Sequence, residues 1–194
     1  SKLRLQPHFF HSYARLKKAA AIANMRCGRL NKKIGNAIVK ACNEIIAGGL
    51  AEQFVVDVYQ AGAGTSTNMN MNEVIANRAI ELLGGRKSDY KLVHPNDHVN
   101  MAQSTNDTFH VAMHIAAATS AENRLIPLLE AYEKMLQRKV EEFADIVKSG
   151  RTHLQDAVPI MLSQEFSGYS ISNHIAAIKR ANEEMKEIGI GGTA

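Results

Sequence analysis

The sequence predicts an all-α protein in which an N-terminal helical region leads into the first long helices of a bundle. Apolar positions recur with a helical period over most of the chain, and only one segment looks like a strand. The stretch from about Thr105 to Lys148 contains no glycine and a single proline, Pro127. Composition fits a folded chain: 194 residues, 45% hydrophobic and 22% charged, enough for one core or for one domain and part of another.

The first helix is expected over Tyr13 to Arg29, rich in alanine and ending near Gly28. The second covers Lys32 to Ala47. There Ile34, Ala37, Ile38, Ala41, Cys42, Ile45 and Ile46 fall on one face, and Gly48-Gly49 ends it. Phe54 to Tyr59 reads as a strand, too short to imply a sheet. A third helix starts near Asn68 and runs to Gly84-Gly85, followed by a loop from Arg86 to about Asn100.

Thr105 to Lys148 then reads as one helix kinked at Pro127 or two abutting ones, and Ser163 to Ile188 as another long helix. Helices of roughly 20 to 25 residues span about 30 Å or more. They are longer than this half of the chain needs, and they carry Ile115, Leu128, Leu129, Leu136, Phe143, Ile146 and Val147. Partner helices are therefore expected, against the plainer alternative of a small self-contained bundle.

Charge and cysteines narrow the function. The 23 Lys and Arg exceed the 19 Asp and Glu by four, spread as isolated pairs without a basic block, and aromatic residues are 6% with no Trp. Nucleic acid is thus a disfavoured partner. No apolar run reaches the about 18 residues of a membrane span, and no signal pattern opens the chain. Cys27 and Cys42 belong to no metal-spaced motif and read as two buried thiols of a cytoplasmic protein.

Three segments are too polar for core and too patterned for ordinary surface. In Gln60 to Glu73, Gly62 and Gly64 let the backbone bend, and six hydroxyl or amide residues follow among the eight positions from Thr65 to Asn72. Capping explains one of them, and the rest suit a helix entrance that offers donors to an anion. In His94 to Asp107, the Pro95-Asn96-Asp97 turn is self-explanatory. Ser104-Thr105-Asn106-Asp107 again opens a long helix where its dipole favours negative charge.

The third segment, Gly150 to Pro159, is expected as a loop between helices, with His153 able to donate a proton or orient a ligand. Dinucleotide, phosphate-loop, nucleophile-elbow and HExxH motifs do not occur, so no cofactor and no metal are expected. A small polyanionic substrate held by hydrogen bonds is.

Together, Gly62-Ala63-Gly64-Thr65-Ser66-Thr67-Asn68-Met69-Asn70, Gln103-Ser104-Thr105-Asn106-Asp107 and Gly150-Arg151-Thr152-His153-Leu154-Gln155-Asp156 resemble the signature segments of the fumarase/aspartase superfamily, in its order and spacing. The resemblance implies an all-helical homotetramer whose active sites are shared between subunits. Residues 1–103 would form the N-terminal lyase domain and 104–194 the first part of the central helical bundle.

It also implies reversible elimination of water or an amine from a four-carbon dicarboxylate to give fumarate. Thr65, Ser104, Thr105, Asn106 and Thr152 would bind substrate, and Thr152 and His153 would serve the catalytic step. His94, Asn96 and Asp97 match a peripheral anion site of the fumarase branch. The superfamily's later serine loop, with its Met-Pro-x-Lys-x-Asn pattern, is not among these residues, so the 194-residue chain by itself is expected to be inactive.

Within the superfamily, Val56-Asp57-Val58-Tyr59-Gln60 running into Gly62-Ala63-Gly64-Thr65-Ser66 resembles aspartate ammonia-lyase, as does Ser104-Thr105. Fumarases more often have Ser at 63, Gln at 66 and Ser at 105. His94-Pro95-Asn96-Asp97, Glu81-Leu82-Leu83-Gly84-Gly85 and Gly191-Gly192-Thr193-Ala194 are closer to fumarate hydratase, of the tricarboxylic acid cycle, and His110-Val111 departs from the Pro-Thr of both branches. Aspartate ammonia-lyase, an enzyme of aspartate metabolism, is the leading reading and fumarate hydratase the alternative. A non-catalytic helical oligomerisation module is the alternative of another class.

Overall fold

The computed structural model describes residues 1–60 and 62–189. Ala61 and the Gly191-Gly192-Thr193-Ala194 motif lie outside the described residues. The chain is predominantly helical and falls into two compact units, Ser1–Ala117, joined by the segment that begins at Glu187, and Ala118–Lys186.

In the first unit, α1 (Pro7–Arg26), α2 (Lys32–Ile46) and α3 (Thr65–Leu82) enclose the core, and α4 (Thr105–Ser120) begins. Pro7 opens α1 six residues before the expected start, because proline at the first helical position loses no needed N–H. Asn31 caps α2, its side chain accepting from Lys33 N at 2.8 Å and Ile34 N at 3.4 Å. The predicted apolar face of α2 is the buried one: Ile38, Ala41, Cys42 and Ile45 meet Tyr13 and Ala14 of α1 and Ile75, Ala79 and Ile80 of α3. Cys27 departs from the expectation. It stands exposed as the C-cap of α1, whereas Cys42 is buried.

Phe54 to Tyr59 is not a strand. A lone extended segment without a partner leaves its backbone unpaired, and here local contacts replace the ladder. Phe54 is buried, stacked on Phe10 with ring centroids 4.1 Å apart. Asp57 accepts from Tyr59 N and from the Ser1 hydroxyl, bonds that hold its carboxyl down at about 2. Val55 and Tyr59 point to solvent.

In the second unit, α5 (Ile126–Glu142) follows a wide turn at Ala121–Leu125, with Pro127 in its first turn. Of the two expected forms, one kinked helix or two abutting ones, the chain has the second, and α5 ends at Glu142, short of Lys148. The helix expected over Ser163 to Ile188 is also broken, into α6 (Leu162–Gly168) and α7 (Ser172–Glu184). Glu133 of α5 makes the break. Its carboxylate accepts from Ser170 Oγ, Ser172 Oγ and Ile171 N at 2.7 to 2.8 Å, and these bonds replace helical ones.

The Gly150 to Pro159 segment is a β-hairpin, not the expected loop. Strands β1 (Val147–Thr152) and β2 (Gln155–Met161) pair antiparallel, with Thr152 opposite Gln155 and an irregularity between Ser149 and Arg151. Among the described residues, no helix is long and apolar enough to cross a membrane.

Removal of the Phe54 ring should leave a cavity against Phe10. Phe54→Ala is expected to cost about 3–5 kcal/mol, and Phe54→Leu less than half of that, read as the shift in the urea midpoint at constant slope.

Candidate active site

The first two polar segments converge in the first unit. Gln60, Gly62, Ala63 and Gly64 form one side of a cleft of about 390 Å³, and Thr105, Asn106, Phe109 and His110 at the start of α4 form the other. Gly64 has φ +88, and a Cβ there would lie 2.3 Å from the Phe109 ring, so the close approach of the two segments requires glycine.

Polarity in the first segment has two uses. Gln60 caps α3 from a distance: its Oε1 accepts from Thr67 N at 2.9 Å, and its Nε2 donates to Thr67 Oγ1 at 2.5 Å. Thr67, Asn68 and Asn72 are buried, while Thr65 and Ser66 remain exposed on the first turn of α3. Half of the six polar residues singled out in the sequence thus face inward, where they build a network.

That network lies beneath Thr105. Asn68 Nδ2 donates to Thr105 Oγ1 at 3.0 Å and to Asn100 Oδ1 at 3.3 Å, and Asn68 Oδ1 accepts from the Tyr13 hydroxyl at 2.7 Å. The Tyr13 oxygen also contacts Thr108 Oγ1 at 2.9 Å, and burial pushes its ionisation well above the ordinary range. Lys17 Nζ reaches Asn100 Oδ1 at 2.8 Å and Gln103 Oε1 at 3.1 Å.

Ser104 caps α4. Its Oγ accepts from Asn106 N at 3.2 Å, and its own N–H goes to the Asp107 carboxylate at 3.3 Å. The Asn106 side chain is exposed on the first turn. A cleft with a helix N-terminus, a hydroxyl fixed from behind and an exposed amide suits a carboxylate.

His94, Asn96 and Asp97 form a wide turn, Pro95–Val99, in which His94 Nδ1 accepts the N–H groups of Asn96 and Asp97 at 3.3 and 3.2 Å. Those two amides are satisfied internally. His94 Nδ1 also lies 3.3 Å from the Asp97 carboxylate. His98 Nδ1 accepts from His94 N, and burial lowers its basicity.

Thr152 and His153 belong to the second unit, where His153-Leu154 makes the two-residue turn of the hairpin. Both have φ values near +50 to +61, the left-handed pair that such a turn demands and that Asn-Gly normally supplies. Leu154 is 93% exposed, and His153 beside it is exposed as well. Arg151 and Asp156 pair across the strands at 3.3 Å.

Sequence reasoning missed Tyr13, Lys17 and Asn100. Lys17 was detectable, because it falls on the helix face shared by Tyr13, Ala14 and Ala21, where a lysine is out of place.

Comparison with known proteins shows the family. A family model described as Lyase matches residues 2–194. The chain belongs to the fumarase/aspartase lyase family. It is 51% identical over 193 residues to fumarate hydratase class II of Nitrosomonas europaea, covering 98% of this chain and 42% of that one. It is 49% identical to aspartate ammonia-lyase of a Bacillus species, covering 98% and 41%.

Among solved structures, the cobalt-bound fumarate lyase:delta crystallin of Brucella melitensis superposes with a TM-score of 0.94 at 46% identity, covering 100% of this chain and 43% of that one. Recombinant class II fumarase of Schistosoma mansoni gives 0.83 at 40%, covering 93% and 36%. The chain thus spans about two fifths of the length of these lyases.

Gly64→Ala tests the cleft. The left-handed backbone alone costs about 1–2 kcal/mol, and the Phe109 clash adds to it, so lost stability should be accompanied by lost ligand binding. Gly28→Ala, at φ +70 with nothing within 4 Å of its Cβ, should lose stability only. Parallel denaturation and binding measurements separate the two.

Proposed function

We propose that the protein forms fumarate from L-aspartate by reversible elimination of ammonia. The observation that supports this most is the cleft in which Thr105 and Asn106, at the N-terminus of α4, face the Gly62–Gly64 turn in a chain of the lyase family. A proton on carbon beside a carboxylate is barely acidic. Its removal leaves a dianionic aci-carboxylate, so the site must offer donors already in place where that charge develops.

Thr105, Asn106, Ser104 and the first turn of α4 supply such donors on one side, and Thr65 at the start of α3 on the other. Thr152 and His153 bind and orient from the hairpin of a neighbouring subunit. The C3–H bond gives up its proton to a base on the serine loop that the family resemblance implies. The C2–N bond breaks with its electron pair, ammonia leaves, and the double bond forms between C2 and C3.

Ala63 favours an amine as leaving group, since it faces the cleft with a methyl where a serine could hydrogen-bond water. Malate is the second reading, favoured by the 51% identity to a fumarate hydratase.

The whole protein is read as a homotetramer. On α5 and the turn before it, Leu125, Leu128, Tyr132 and Met135 recur at helical spacing and are 46 to 69% exposed, a stripe suited to partner helices. Exposed Cys27 and buried Cys42 are unpaired, as befits the cytoplasm.

The full-length enzyme, given aspartate and malate separately and followed by fumarate absorbance, should turn over aspartate. Fumarate from malate alone would move the protein to the hydratase branch, and fumarate from neither would favour a non-catalytic module. Thr105→Ala should lower kcat/KM by about 10²–10³, with the helical circular dichroism unchanged.

A further inference from the structure

Lys17 has no exposed surface. A buried ammonium ordinarily faces a carboxylate. Lys17 instead donates to two amide oxygens, on Asn100 and Gln103, with the Tyr13 ring centroid 5.4 Å from Nζ, and no carboxylate among the described residues pairs with it. Burial lowers the amine to about 7, a cost that an anion bound nearby would reverse.

Its bonds lead in one direction. Asn100 Oδ1 accepts from Lys17 and also from Asn68 and Asn72, while Asn100 Nδ2 donates to the Gln103 carbonyl, the peptide that precedes Ser104. Gln103 Nε2 closes on the carbonyls of Val99 and Met101, bracing a turn in which Ala102 holds φ +56. Asn68 carries the same chain of bonds to Thr105 Oγ1. Two branches from Lys17 thus end on Gln103 and Thr105, on either side of Ser104, and the others stay in the core at Asn72 and Tyr13.

We propose that Lys17 is a positioning residue for dicarboxylate binding, a buried cation behind Thr105 that fixes this turn and leaves a positive charge for the substrate carboxylate to offset. The inference rests on the lyase reading above. A lysine that merely filled the core would affect stability and leave substrate affinity alone.

The test uses the full-length enzyme. Asn100→Asp is nearly isosteric and gives Lys17 a carboxylate partner, so it cancels the charge without emptying the core, though it gives up the Nδ2 bond to the Gln103 carbonyl, which Lys17→Met retains. Gln103→Glu makes the same charge change from the other acceptor and loses a different pair of bonds, those to the Val99 and Met101 carbonyls, which keeps the test independent of one variant folding and of one lost bond. In both, KM for the dicarboxylate is expected to rise about tenfold while kcat changes by less than about threefold, as for loss of a fixed charge that acts on binding. Lys17→Met should raise KM similarly. Wild-type KM in the carboxylate variants overturns the proposal, and so does a fall in kcat at constant KM. If the unmodified enzyme turns over neither aspartate nor malate, the lyase reading itself fails and this inference falls with it. Normal turnover with unaltered variants defeats the role of Lys17 alone.

Discussion

The position of the cleft depends on one requirement, that the polar groups packed beneath Thr105 find partners away from water. Unpaired buried amides cost several kcal/mol in the least favourable case, so Tyr13, Asn68, Asn72 and Asn100 tie α1, α3 and the turn before α4 into one register. A one-residue slip of α3 would strand Asn68 and Asn72 together. The mouth of the cleft is therefore set by the core behind it. Asn72 is the exception on one side: its Nδ2 donates to Asn100, while its Oδ1 finds no protein partner among the described residues.

The hairpin holds its polar groups differently. No packed layer supports His153; the backbone itself is bent into the left-handed pair that a two-residue turn needs, at about 1–2 kcal/mol for each non-glycine residue. Cross-strand pairing from Thr152–Gln155 to Val147–Met161 sustains the strain. Isolated two-stranded hairpins are marginal in water, and the side chains of Val147, Leu154 and Val158 stand exposed on this one.

The helices were legible where one face is apolar and the ends carry signals. In α2, the apolar face from Ile34 through Ile46 and the Gly48-Gly49 end left little choice. Phe54 to Tyr59 misled because β-branched and aromatic residues mark burial as readily as strands, and no local pattern shows whether an edge is available to pair with. The break at Ser170 was illegible because its cause, Glu133, is 37 residues away. His153-Leu154 hid the hairpin by lacking the usual turn residues. Of the site, the polar clusters were visible, but not which side of each helix they face, so Thr67, Asn68 and Asn72 looked like ligand donors before the core claimed them.

The two thiols of the first unit differ in accessibility. Cys42 is sealed between helices, its ionisation pushed up to about 12 by burial, whereas Cys27 projects from the end of α1. A maleimide dye added to the native fold would therefore attach at a single point in this unit, and a second attachment would mark molecules in which the three-helix core had opened. This part of the chain thus contains its own reporter of fraying, without an engineered label.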